Sequence, residues 1–89
     1  MEFDWDDDKD GVCRGAYGFG FEDALGIFLG DTVEWRDDRE DYGEVRMITV
    51  GEWDSDFYTI VYTDRGSTRR IITAWPSERE ERQLWERSP

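Results

Sequence analysis

The sequence contains no histidine, a single cysteine, a single lysine and two prolines among its 89 residues. The absence of histidine excludes imidazole-based catalytic triads, histidine metal sites and the usual imidazole acid–base chemistry. Because Cys13 has no partner, the chain can form neither an internal disulfide nor a thiolate zinc site, and a reducing compartment is expected. No apolar run approaches the ~20 residues of a membrane span, and the acidic N-terminus does not resemble a signal peptide. We therefore expect a cytoplasmic protein that does not contact the membrane.

Acidic residues outnumber basic ones by 23 to 11, which gives a formal net charge of −12. A chain with this balance is not drawn to nucleic acid by its net charge. Three interpretations stay open: a solvated surface such as that of a salt-adapted protein, a surface that docks a basic partner, and mimicry of nucleic acid. No metal or cofactor is predicted. The acidic run DWDDDKD has Lys9 and Gly15 where a calcium loop needs glycine and glutamate.

The length and the absence of repeats or linkers predict one domain over residues 1–89. Residues 2–5 are predicted to form a short strand, followed by a brief helix that begins at the acids Asp6 to Asp8 and ends near Arg14. Apolar residues spaced three and four apart then predict a helix over 21–29, ended by Gly30.

The C-terminal half alternates as strands do. The segments TVEWR, EVRMITV, FYTIVYT and RRIITAW are separated by short acidic or glycine-containing turns, so they must pair in antiparallel fashion. Pro76 ends the last strand because it has no N–H to donate, and Ser77 with Glu80 predicts the capped start of a final helix toward Arg87. Trp75 either packs under that helix or lies exposed on a functional face, and packing is favoured. The sequence thus predicts an α+β domain: a strand, two helices, a four-stranded meander and a terminal helix.

Arginine is the residue type that could carry chemistry here. Arg65, Arg69 and Arg70 lie in an interval, 65–77, that contains no acid. Glu44 and Arg46 are two apart on a predicted strand and so share a face. Arginine can hold phosphate and stabilise developing charge, and a neighbouring carboxylate can move a proton. The alternative is a set of cross-strand ion pairs on a solvated face, which contribute little.

Taken in order, the blocks FDWDDDK, GFGFEDALGIFLGD, GEVRMITVG, FYTIVYTDRG, RRIITA and ERQLWE resemble the BrnT toxins of type II BrnT/BrnA toxin–antitoxin systems. The resemblance implies a RelE-like α+β fold and a metal-independent endoribonuclease that inhibits translation. It also implies a BrnA-like antitoxin that forms a hetero-oligomer with the toxin and binds DNA itself. It leaves open which RNA is cut and whether the ribosome takes part.

The resemblance carries over Glu44, Arg46, Thr63 and Arg65 as candidate catalytic residues, and Arg70 matches the family's arginine at the start of the last strand. Tyr17 is added as a further candidate catalytic residue, and the candidate RNA-binding residues are Arg70 together with Arg69, Arg79 and Trp75.

The sequence departs from the family pattern at two places. Where the family usually has Asn, two residues and then Lys-His-Gly, Cys13, Ala16 and Tyr17 replace Asn, Lys and His. The family's last strand usually ends Ser-Ala-Arg-Lys, whereas here it ends at Trp75 and Pro76.

Three interpretations follow from these departures. The chain can be an active ribonuclease with a reduced site, in which Glu44 or Tyr17 moves the proton and Arg46, Arg65 and Arg69 or Arg79 supply cations. It can also be an inactive relative kept for binding, or an acidic decoy that occupies a nucleic-acid-binding protein.

Overall fold

A computed structural model describes residues 1–88 of the chain. Its strands are β1 (Glu2–Trp5), β2 (Thr32–Arg36), β3 (Met47–Trp53), β4 (Asp56–Arg65) and β5 (Thr68–Pro76). Its helices are α1 (Asp7–Tyr17), α2 (Phe21–Ala24), which continues as a 3₁₀ helix (Leu25–Leu29), and α3 (Arg79–Arg87). The strands form one sheet in the order β1-β5-β4-β3-β2, in which β1 is parallel to β5 and all other pairs are antiparallel. The predicted α+β class and layout are confirmed.

The meander closes through two tight turns. Asp54 and Ser55 connect β3 to β4 with positive φ angles of 53° and 71°. Gly66 connects β4 to β5 with a φ of 62°. Positive φ at the turn residues matches the twist of the flanking strands, so both connections hold adjacent strands in a fixed register.

The sheet is covered on both sides. Tyr58, Ile60 and Tyr62 of β4 lie on the side covered by α1, α2 and the 3₁₀ helix, which we call the α1 face. The residues of β4 that alternate with these three point to the other side of the sheet. One of them, Phe57, contacts Trp85 of α3, with 5.0 Å between ring centroids. We call this side the α3 face. Because side chains alternate along a strand, residues on the α3 face are accessible only where α3 does not cover them.

A bulge in β5 decides which arginine lies on which face. Val61 pairs with Thr73 but Tyr62 pairs with Ile71, so Ile72 is an extra residue in β5. Ile71 packs in the core of the α1 face, whereas Ile72 packs with Ile48 and Val61 on the α3 face. Unbroken alternation backwards from Trp75 would have placed Arg69 on the α3 face. The extra residue reverses this assignment and places Arg70 there instead.

The first helix is longer than predicted. Asp6 caps it by accepting hydrogen bonds from the amides of Asp8 (2.8 Å) and Lys9 (3.4 Å). It continues past the predicted end near Arg14 and stops at Gly18, whose φ of 79° gives the left-handed cap that glycine favours. Cys13 lies buried on this helix, and its thiol points to the carbonyl oxygen of Ala74 at 3.6 Å.

The second predicted helix, 21–29, is split. Four residues are α-helical, and the next five tighten into a 3₁₀ helix. Its fully buried residues are therefore Phe21, Ala24 and Ile27, three apart, while Leu25 and Phe28 are only partly buried. The tightening coincides with Gly26, where a Cβ atom would collide with the ring of Trp53. The apolar residues behind the prediction, Phe21, Ala24, Leu25 and Phe28, all contact the core. The three-residue period additionally buries Ile27 and leaves Leu25 and Phe28 partly exposed.

The predicted cap of α3 was wrong by one residue. The Ser77 amide still donates to Phe57 O (3.0 Å), and its hydroxyl bonds to Thr59 (2.8 Å), so Ser77 continues the bonding to β4 just past the end of β5. Glu78 precedes the helix, and its amide donates to Glu81 at 2.8 Å. Glu81 also accepts from the indole N–H of Trp75 at 3.0 Å. The packed alternative for Trp75 is thus observed.

Candidate active face

Three of the predicted site residues meet beside the end of β4. Glu44 Oε1 lies 3.2 Å from a terminal nitrogen of Arg65, and Glu44 Oε2 lies 3.5 Å from Arg46 Nε. The sequence predicted Glu44 and Arg46 within a strand, which was wrong because β3 begins only at Met47. The two side chains come instead from the segment 37–46, which joins β2 to β3 and which we call the site loop.

The site loop is anchored by buried polar groups. The Asp37 side chain is 1% exposed and accepts hydrogen bonds at 2.8 Å from two nitrogens of Arg39. The Asp37 amide donates to Arg46 O at 2.8 Å, which joins the two ends of the loop. Thr63 donates to Val45 O at 2.8 Å and thereby ties the loop to β4. These contacts fix the backbone on both sides of Glu44 without using its carboxylate.

The Glu44 carboxylate is stabilised in its charged form by its two arginine neighbours. Its hydrogen bond with Arg65, followed by the contact with Arg46, lowers the pKa of Glu44 below its ordinary value. The Arg46 guanidinium also stacks on the ring of Tyr42, 4.1 Å from the ring centroid. The cluster therefore presents one carboxylate that bridges two guanidinium groups, with an aromatic ring behind one of them.

Arg70 lies on the same face as this cluster, and Arg69 does not. Arg70 pairs in register with Thr63 of β4 and with Asp4 of β1, and its guanidinium is 3.5 Å from the Asp4 carboxylate. Arg69 lies on the α1 face, 3.9 Å above the centroid of the Tyr62 ring, and Asp64 accepts two hydrogen bonds from it. The two adjacent arginines are therefore separated by the thickness of the sheet.

The remaining predicted site residues lie elsewhere. Tyr17 stacks on Phe19 at the end of α1, with 5.9 Å between ring centroids. Together with Trp75, Arg39 and Pro76, it lines a separate cavity of about 410 Å³. Trp75 packs on the cluster of Ile48, Val61 and Ile72. Arg79 is exposed at the start of α3.

Ion pairing neutralises most of the arginines. The interval 65–77 holds no acid in the sequence, yet in space Arg65, Arg69 and Arg70 each face a carboxylate from another segment. Within residues 1–88, eight of the ten arginines have such a partner: Arg14, Arg36, Arg39, Arg46, Arg65, Arg69, Arg70 and Arg82. The partners Asp4, Asp37 and Asp64 and the ring of Tyr42 were not among the predicted site residues. Their contacts depend on strand register and loop path.

Within the described part of the chain, no group of three or more Cys, Asp or Glu side chains is arranged to hold a metal ion. No helix among residues 1–88 is long and apolar enough to cross a membrane.

Comparison with known families identifies the class of protein first. The chain matches a family model described as a ribonuclease toxin of a type II toxin–antitoxin system. More particularly, the family is BrnT, and the match covers residues 5–81, so the chain belongs to the BrnT family. The resemblance is confirmed, and membership implies an antitoxin partner. A search of curated proteins finds no match.

Proposed function

We propose that this chain is an active, metal-independent ribonuclease that cleaves RNA with a reduced set of residues on the α3 face and so inhibits translation. The observation that carries the proposal is the position of Glu44 between Arg46 and Arg65. The carboxylate can accept a proton, and the two guanidinium groups can hold a phosphate. All three groups lie within reach of one another. Arg70, on the same face, would hold a neighbouring phosphate.

The reaction uses the RNA's own nucleophile. The ribose 2′-hydroxyl attacks the adjacent phosphorus, the bond from phosphorus to the 5′-oxygen breaks, and a 2′,3′-cyclic phosphate remains. Glu44 takes the proton from the 2′-hydroxyl, and the departing 5′-oxygen takes a proton from water. Arg46 and Arg65 stabilise the negative charge that builds up on the phosphate oxygens.

Substrate binding would also strengthen the base. In the free protein the pKa of Glu44 is lowered by Arg65 and Arg46, which makes the carboxylate a weak proton acceptor. A phosphate that draws these guanidinium groups toward itself removes the cause of the lowering. The pKa of Glu44 then rises toward its ordinary value, and its basicity increases while RNA is bound.

Substitution of Glu44 and Arg65 tests the proposal. Glu44→Gln should slow cleavage of a defined RNA about 10²- to 10⁴-fold by removing the proton acceptor. Arg65→Ala should slow it roughly 10²- to 10³-fold by removing a charge-stabilising group. Glu52→Gln and Arg87→Ala are matched controls, since both residues are exposed, Glu52 near the far end of β3 and Arg87 in the last turn of α3. They should cleave at the wild-type rate.

Two outcomes would contradict the proposal at different points. Full RNA cleavage by Glu44→Gln would exclude Glu44 as the base but would not contradict the proposed ribonuclease activity. Normal growth and intact transcripts under full expression of the wild-type chain would instead favour an inactive, binding relative. That second candidate is favoured by the carboxylate partners of Arg46, Arg65 and Arg70, which neutralise the face in the free protein.

We further propose that the antitoxin is BrnA-like, of basic or mixed charge. It would cover the arginine-bearing face in a hetero-oligomer and bind DNA on its own account. The acidity of the toxin, with a net charge of −12, supports a partner of opposite charge.

A further inference from the structure

The two most exposed large apolar side chains among residues 1–88 border the same cavity. Leu29 is 80% exposed and Met1 is 74% exposed. Between them lies a cavity of about 410 Å³ on the α1 face, which we call the Leu29 pocket. Its wall includes the partly buried side chains of Phe3, Leu25 and Phe28 and the carboxylate of Glu34.

The 3₁₀ helix produces this surface. Its three-residue period buries Ile27 against the sheet and leaves Leu25, Phe28 and Leu29 turned partly or fully outward. In a chain that is 38% charged, several large apolar side chains gather around this cavity, as they also do around a second cavity lined by Val12, Tyr17 and Ile72. Such concentrations mark contact sites for other proteins more often than isolated exposed residues do.

The free charge of the pocket is negative. Arg69 contributes a guanidinium to the wall, but two hydrogen bonds to Asp64 and stacking over Tyr62 already engage it. Glu34 accepts a hydrogen bond of 2.6 Å from Tyr62 and forms no ion pair within 4 Å among the described residues; Arg69 interacts with its charge, but Arg69 is itself paired with Asp64. The exposed acid Asp31 adjoins the lining residue Thr32 in sequence. An occupant that combines apolar and basic side chains would match this surface.

We propose that the Leu29 pocket anchors an amphipathic segment of the basic antitoxin, an inference that rests on the proposed toxin–antitoxin role. A large aliphatic side chain of the antitoxin enters between Phe28 and Leu29, and an adjacent lysine or arginine pairs with Glu34. A second copy of this chain is a poor occupant, because it would place Glu34 against Glu34 between two chains of net charge −12.

The position of the pocket relates docking to the proposed active face. Phe3 and Asp4 are consecutive in the edge strand β1, and they point to the Leu29 pocket and to Arg70 respectively. A segment anchored in the pocket therefore needs only to pass around β1 to reach Arg70 on the other side of the sheet. This route allows one antitoxin chain to hold the α1 face and cover the arginines.

The test measures binding of the purified cognate antitoxin to three toxin variants by calorimetry. Leu29→Asp should weaken binding at least ~30-fold, as loss of a central anchor does. Glu34→Gln should weaken it roughly 3- to 10-fold and flatten its dependence on salt. Val12→Asp is the matched control, since Val12 is 72% exposed on α1 outside the pocket, and it should bind as the wild type does.

RNA cleavage without antitoxin separates this proposal from the proposed function. Leu29→Asp leaves the α3 face unchanged, so it should cleave RNA at the wild-type rate. A wild-type chain that does not cleave RNA would refute the proposed ribonuclease activity and leave the docking proposal standing. Wild-type affinity of Leu29→Asp would overturn the docking site. Loss of antitoxin binding in Val12→Asp but not in Leu29→Asp would overturn the docking site as well. A wild-type dimer that Leu29→Asp dissociates would overturn it in favour of self-association.

Discussion

Replacing Asp37 with asparagine tests whether the site loop depends on one buried charge. The Asp37 carboxylate is almost fully buried and accepts two 2.8 Å hydrogen bonds from the Arg39 guanidinium, and a third at 3.2 Å from the Arg39 amide. Asparagine has the same shape but no charge, so Asp37→Asn removes the ion pair without opening a cavity. The loop that carries Glu44 and Arg46 should become less stable while both side chains remain.

The pKa of Asp37 sets the size of the effect. The side-chain hydrogen bonds from Arg39 lower the pKa of Asp37 from 3.8 to about 2, although burial acts in the opposite direction. At ~1.4 kcal/mol per pKa unit this corresponds to at most about 2–3 kcal/mol. The Arg39 side chain is 60% exposed, so solvent screening reduces the expectation to about 1–2 kcal/mol. For a domain of this size, that lowers Tm by roughly 5–15 °C.

The dependence on pH follows from the direction of the shift. Because the folded-state pKa of Asp37 is lowered, its contribution is fully present above pH 3.8 and is lost as the pH falls to about 2. The difference in unfolding free energy between wild type and Asp37→Asn should therefore be constant near neutral pH and shrink across this window. Urea unfolding followed by tryptophan fluorescence at a series of pH values measures it.

A neighbouring variant provides the control. Asp38 is 80% exposed and pairs with Arg36 at 3.4 Å, so Asp38→Asn should change stability by less than ~0.5 kcal/mol. Equal stability of wild type and Asp37→Asn at pH 7 would refute the argument that this pair anchors the loop. A difference between them that does not shrink toward pH 2 would show that its origin is not the Asp37 charge.

Two further variants test single contacts. Thr49 is fully buried, and its hydroxyl has no hydrogen-bond partner within residues 1–88. Thr49→Val should therefore raise the unfolding free energy by about 1 kcal/mol. A loss of stability in urea unfolding would contradict this. Glu81→Ala removes the acceptor of the Trp75 indole and of the Glu78 amide, so it should lower the unfolding free energy by about 1–2 kcal/mol in the same assay. The exposed Glu80→Ala is its control. Equal stability of the two variants would show that the Glu81 contacts contribute nothing.

The pairing of arginines with carboxylates bears on how the protein would meet RNA. In the free chain the guanidinium groups of Arg46, Arg65 and Arg70 face Glu44 or Asp4 rather than solvent alone. RNA phosphates would have to replace these carboxylates, so binding would be an exchange of ion pairs. We expect modest affinity that weakens as salt rises, because the phosphates compete with tethered acids and with ions.

Local patterns predicted most of the fold. The alternation of residues 32–36 and 57–63 and the glycine-containing turns identified the strands, and the short connections required antiparallel neighbours. Boundaries were less predictable. Gly15 lies inside α1, Ser77 stays in the strand register, and Glu44 and Arg46 precede β3. Packing and hydrogen bonds to distant residues overrode the local preference at each of these positions.

The sequence by itself determined the chemistry that is available: arginine and carboxylate without imidazole, in an acidic α+β domain of the BrnT family. Only the tertiary structure decided which arginines lie on the same face. The extra residue Ile72 in β5 turns Arg70 toward the side of Glu44 and Arg65 and sends Arg69 to the opposite side. Alternation along the sequence cannot reveal this, because a bulge is defined by pairing with β4, and one inserted residue reverses the face of every residue beyond it.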